Sequence, residues 1–112
     1  MPRKPRVVIT GAVHHVMSRG LDGADIYKCN RDRKVFMAHL EKRIIQSGYL
    51  LYAWSLLPNH YHLVLRVSEY PLGEFMKQLN GQYARYFRKG SRSRGYVFQD
   101  RYKSIATHDQ RY

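Results

Sequence analysis

Two histidines one residue apart, His60 and His62, carry the first chemistry that the chain suggests. They lie in Pro58-Asn59-His60-Tyr61-His62-Leu63-Val64-Leu65, a turn followed by an alternating run. Pro and Asn punctuate a chain, and the run after them predicts a half-buried strand. Side chains on a strand alternate between its faces. His60, His62 and Val64 therefore share one face, while Tyr61, Leu63 and Leu65 turn into a core. Two imidazoles so placed can converge on one cation, and neutral imidazole is the commonest protein ligand for metals. A divalent ion held there could polarise a phosphate. The plainer reading of such a pair is structural. The apolar run and the basic chain around it favour the chemical one.

That chain holds 20 Lys+Arg against 8 Asp+Glu, a formal net charge of +12 over 112 residues. The excess points to a polyanionic partner; the alternative is a protein kept soluble by its charge. A hydrophobic content of 44% sets aside a disordered tail and predicts one domain with a modest core. The ten tyrosines are the second oddity. A tyrosine can stack on a base, hydrogen-bond through its tip, or attack as a phenol. Cys29 is the only cysteine, so an intramolecular disulfide and a Cys-based zinc site are both excluded, and a reducing cytoplasm fits. No apolar run reaches the length of a membrane span, so no membrane partner is expected. The basic stretch from Met1 to Arg6 lacks the apolar core of a signal peptide. It reads equally as a phosphate-contacting arm or a frayed terminus.

The elements that must position the pair follow from pattern. Val7 to Thr10 is apolar and β-prone, and Gly11 breaks it. Val13 to Arg19 reads as the first main strand, with His15 and Met17 on one face and His14 and Val16 on the other. One of these two histidines is expected to be structural, and neither is assigned to a metal. After a loop over Leu21 to Tyr27, Asn30 suits a helix N-cap. The helical stripe Val35, Phe36, Leu40 and Ile44 carries His39 at its edge, and Gly48 suits the stop. Tyr49 to Leu57 is apolar on both faces, which predicts a central strand packed beneath helices. The two-residue break after it makes the histidine strand an antiparallel neighbour. A second helix starts at Pro71, and its stripe places Tyr83 and Tyr86 in the core. Gly81 would allow close packing. Arg88 to Gly95 reads as a basic loop, and Tyr96-Val97-Phe98 and Tyr102 to Ile105 as strand material. The order predicts an α+β ferredoxin-like two-layer sandwich, an antiparallel sheet with helices on one face. The other face is free for a site. Arg19, Arg88, Lys89, Arg92, Arg94, Arg101 and Lys103 are the candidate nucleic-acid contacts, and Tyr102, flanked by cations, is a candidate to stack a base.

Three segments together resemble a known family. They are Val13 to Gly20, Leu57 to Leu65, and Gly95-Tyr96-Val97-Phe98-Gln99-Asp100-Arg101-Tyr102-Lys103-Ser104. They look like the REP-associated tyrosine transposases, among the single-tyrosine HUH transposases named for their His-hydrophobic-His motif. The resemblance runs in order along nearly the whole chain. It implies a prokaryotic, cytoplasmic enzyme whose partner is single-stranded DNA, often folded as a hairpin beside the cleavage point. It implies Mg²⁺ or Mn²⁺ on His60 and His62. A tyrosine then attacks the scissile phosphate, leaving a 5′-phosphotyrosine and a free 3′-OH that can later rejoin strands. Mg²⁺ prefers oxygen ligands, so an imidazole pair would need phosphate oxygens to hold it; Mn²⁺ accepts imidazole more readily.

In that family the nucleophile lies on a third helix, beyond the Arg-Tyr-Lys-Ser strand. An acidic or amide side chain of the same helix often completes the metal shell. Residues 1–112 are therefore expected to form a single HUH-type domain without the C-terminal nucleophile helix. Tyr112 aligns with the start of that helix and stands as the candidate nucleophile. The resemblance implies a homodimer for some members, in which that helix can be exchanged between subunits. Two positions depart from the pattern: Leu21 replaces the Asn usual after the Arg-Gly pair, and Arg88 an Asn usual after the second helix.

Three other readings compete. A domesticated relative would bind hairpins without cutting. An RNA-recognition-type module shares the element order and part of a signature at Arg94-Gly95-Tyr96-Val97-Phe98. It would bind by stacking, whatever the metal. A hydrolytic nuclease would cut with water and never link to DNA.

Overall fold

The computed structural model describes residues 10–91, 95–99 and 101–107. The chain runs β1 (Val13–Arg19), α1 (Asn30–Ser47), β2 (Leu50–Leu57), β3 (His60–Arg66), α2 (Leu72–Ser91) and β4 (Lys103–Thr107), with a short 3₁₀ turn over Leu21–Gly23. The strands form one sheet in the order β2-β3-β1-β4, every neighbouring pair antiparallel. This is the expected ferredoxin-like α+β sandwich. The core lies between one sheet face and the two helices. Tyr61, Leu63 and Leu65 of β3 and Val16 of β1 bury there against Phe36 and Leu40 of α1 and Phe75, Leu79 and Tyr83 of α2. Removing these side chains from water is the main favourable term.

The histidine strand is interior, flanked by β2 and β1. Its burial alternates, with Tyr61, Leu63 and Leu65 enclosed and His60, His62 and Val64 only partly covered. The turn that leads into it is pinned from the β1–α1 connection. The Pro58 carbonyl accepts from the Ile26 N–H at 2.7 Å, and the Asn59 carbonyl from the Gly20 N–H at 2.8 Å. Gly20 is required there by close approach, because a Cβ would lie 2.0 Å from the Ala24 carbonyl oxygen. Beneath the strand, the Tyr61 hydroxyl donates to Asn80 Oδ1 on α2, and Asn80 Nδ2 donates to Ser18 Oγ on β1 at 3.0 Å. One chain of hydrogen bonds thus ties β3, α2 and β1 together.

Several expectations are corrected. β2 is an edge strand, not a central one, and most of its residues are exposed. Only Leu51 and Leu56 pack half-buried against the core, so its two apolar faces are not both buried. α2 continues through Arg88 and Lys89 to Ser91, which removes these two cations from the expected loop. They fall in the last turn, where positive charge suits the helix dipole. Asn30 is the first residue of α1, not its cap. Cys29 holds the cap position without a side-chain bond, and Asp32 reaches back instead, accepting from the Lys28 N–H at 2.9 Å. Residues 96–98 form no strand; Phe98 makes a single bridge to Gly20. Gly81 has open space around it and allows no close packing. Gly48 ends α1 as expected, left-handed at φ 73° with its N–H on the Ile44 carbonyl. Of the β-prone stretch Val7 to Thr10, Thr10 lies in a turn, and Val7 to Ile9 and the basic arm lie outside the described residues.

Candidate active site

The face of the sheet away from the helices gathers His60, His62 and Val64 from β3 with His15, Met17 and Arg19 from β1. The antiparallel register sets Arg19 opposite His60 and Met17 opposite His62. The rings of His60 and His62 lie 5.0 Å apart, nearly perpendicular. His60 Nδ1 is 2.7 Å from Asn59 Oδ1, an oxygen that can only accept. Nδ1 therefore carries a proton, and in the neutral ring Nε2 keeps its lone pair. His62 Nδ1 is 3.0 Å from His15 Nε2, with ring centroids 5.1 Å apart. Burial, then the neighbouring His15 and His60, hold His62 below the ordinary imidazole pKa, which favours the neutral ring.

His15 is the residue that sequence reasoning missed. Alternation alone placed it on the same face as Met17, but not beside His62, because strand register is not written in either strand taken singly. Its neighbour His14 faces the core and is the structural one, with Nδ1 3.2 Å from Ser104 Oγ on β4.

The candidate cations fall into separate groups. Arg19, Arg101 and Lys103 line one hollow of about 140 Å³ with Met17, Ser18 and Gln99. Arg19 also lines a second, of about 230 Å³, with Met17, Asn59 and His60. Arg19 thus stands between the histidines and the other two cations. Arg88 bonds the Gly95 carbonyl at 3.4 Å, and Lys89 is exposed on the last turn of α2. Neither lines these hollows. Arg92, Arg94 and Tyr112 lie outside the described residues.

The described tyrosines of the helical stripe are bound in place. Tyr83 is fully buried and donates to the Ile26 carbonyl, and burial raises its pKa far above the ordinary range. Tyr86 donates to Asp32 Oδ1 at 2.7 Å, and that bond raises its pKa. Neither is poised to become a phenolate. Tyr102 packs partly buried against the core.

Among the described residues, no group of three His, Cys, Asp or Glu comes together in a way that could hold a metal. The pair itself fits a divalent ion as two neutral imidazole ligands, the rest of the shell being left to water or phosphate oxygens. Among the described residues, no helix is long and apolar enough to cross a membrane.

Two solved structures share the fold. A REP-associated tyrosine transposase, solved bound to a REP hairpin, superposes with a TM-score of 0.77 at 14% identity over 98% of this chain. The present chain spans 64% of that protein's length. A transposase-like protein from Deinococcus radiodurans R1 superposes with a TM-score of 0.70 at 18% identity, covering 97% of this chain and 88% of its own. No curated protein matches the sequence. The family model described as "Transposase IS200 like" matches residues 13–112, from the first residue of β1 onward. The chain belongs to the IS200-like transposase family.

Proposed function

We propose that the chain cleaves and rejoins single-stranded DNA at hairpin or repeat sequences, with His60 and His62 holding Mg²⁺ or Mn²⁺ and a tyrosine as nucleophile. The observation that carries the reading is the pair of rings 5.0 Å apart on an open sheet face, with Arg19 alongside. An ion bound by the pair would supply Lewis-acid polarisation of the scissile phosphate. Asn59 keeps His60 in the tautomer whose Nε2 can serve as a ligand. Arg19, Arg101 and Lys103 hold neighbouring phosphates, and Arg88, Lys89, Arg92 and Arg94 add attraction farther out. The tyrosine oxygen bonds to phosphorus as the P–O3′ bond breaks, and the leaving 3′ oxygen takes up a proton. A 3′-OH attacking the phosphotyrosine reverses the exchange and rejoins a strand. Tyr112 is the candidate nucleophile, in a domain taken to span residues 1–112 and to act in the prokaryotic cytoplasm. A homodimer is one arrangement that could bring the tyrosine to the site.

The test is a denaturing gel for a covalent adduct, using labelled single-stranded hairpins with Mn²⁺ or Mg²⁺, with and without chelator. A chelator-sensitive adduct, lost in His60→Ala and Tyr112→Phe while most DNA binding persists, is the expected result. Hairpin binding without any adduct would mean a relative that binds and does not cut. Cleavage without an adduct would mean a water nucleophile. Loss of DNA binding and cleavage together in His60→Ala would make the histidines structural.

A further inference from the structure

His60 and His62 each have a neighbour on Nδ1, and the two neighbours differ in kind. On His60 it is Asn59 Oδ1 at 2.7 Å, which fixes the proton on Nδ1. On His62 it is His15 Nε2 at 3.0 Å, and a nitrogen–nitrogen hydrogen bond between neutral imidazoles admits two arrangements. If His15 donates, His62 Nδ1 spends its lone pair on that bond and its Nε2 carries the proton. Neither nitrogen of His62 could then bind a metal without breaking the contact. If His62 donates from Nδ1, its Nε2 has a free lone pair, and His15 must carry its own proton on Nδ1. Only the second arrangement makes His62 a ligand, and it gives both histidines of the pair the same tautomer.

We propose that His15 is a positioning residue that accepts a hydrogen bond from His62 Nδ1 and so presents His62 Nε2 to the metal. This rests on the reading of His60 and His62 as metal ligands. The logic is that of outer-shell partners in other metal sites, where an acceptor behind the ligating imidazole sets its tautomer and orientation. The usual acceptor there is a carboxylate or carbonyl; here it is a second imidazole from the adjoining strand. The register provides it. With Met17 opposite His62, His15 is the diagonal neighbour two residues along β1, within reach of a long side chain. Because His15 is exposed, its replacement should leave the core untouched.

The experiment has two readouts. The first is long-range ¹H–¹⁵N NMR of the histidine rings in metal-free protein, at a pH where the imidazoles are neutral. Wild type should show His62 protonated on Nδ1. His15→Leu should move it toward the Nε2–H form that free imidazole side chains favour in water, and His15→Gln, which keeps an acceptor at the same reach, should restore it. The second is Mn²⁺ affinity by titration calorimetry, where His15→Leu should weaken binding about 10- to 100-fold and His15→Gln should recover most of it. A wild-type His62 protonated on Nε2 would overturn the proposal. So would unchanged Mn²⁺ affinity in His15→Leu when His60→Ala abolishes binding. Mn²⁺ binding indifferent to His60→Ala would instead overturn the metal reading beneath it.

Discussion

At the scale of single residues, the site depends on what lies behind each exposed imidazole. Tyr61 separates the two histidines in sequence and anchors their strand from below through Asn80 and Ser18. Tyr61→Phe keeps the ring and removes the hydroxyl, leaving the Asn80 amide oxygen short of a buried partner. Urea denaturation should show a loss of about 1–3 kcal/mol with an unchanged m-value. The faces on which His60, His62, Tyr83 and Tyr86 lie were legible in the sequence because each follows from the period of its own element. The His15–His62 contact was not, since it needs the pairing of two strands separated by the whole of α1 and β2. The cation candidates were legible as charge but not as place: only the structure separates Arg19, Arg101 and Lys103 from Arg88 and Lys89.

At the scale of elements, Asp32 joins the two helices. One carboxylate oxygen accepts from the Lys28 N–H at the start of α1, and the other from the Tyr86 hydroxyl on α2. Asp32→Ala removes both bonds and should cost about 1–3 kcal/mol, read as a lower denaturation midpoint. Asn30 looked like the cap because it precedes the stripe. The pull of Tyr86 on Asp32 is tertiary and invisible to local pattern. β2 was misread for a related reason: an apolar run on both faces fits a buried strand, and only the helices' positions reveal that this one is left outside. His39, on α1, gives the pH prediction. Its burial, with Lys42 and Arg43 nearby, outweighs a bond to Gln82 and lowers its pKa. The unfolded chain therefore binds the proton more readily, and stability falls as the pH drops through and below the unfolded value of about 6.5. His62 shifts in the same sense, so the clean measurement compares melting temperature against pH for wild type and His39→Gln, with the flatter curve expected for the variant.

For the molecule as a whole, the charge of +12 should make binding to single-stranded DNA steeply salt-dependent. Arg19→Gln should lower affinity for all sequences alike and make the log–log salt slope shallower by about 0.7, the share of one phosphate contact on a single strand. Fluorescence anisotropy across a salt series measures both. An unchanged slope would remove Arg19 from the phosphate contacts. The overall architecture was the most legible level, because strand, helix and turn signals in this order admit few topologies.

The exposed edge strand has one last, optical consequence. Trp54 is the chain's only tryptophan, and on β2 it is 54% exposed. An indole that already meets water when folded emits nearly as it does when unfolded. Denaturation followed by tryptophan emission should therefore show a small change where circular dichroism shows a full transition. Anything laid along that edge would instead strip water from the ring and move its emission to the blue. The fluorophore is thus nearly blind to the collapse of the core and sensitive to whatever adds to the sheet along the free edge of β2.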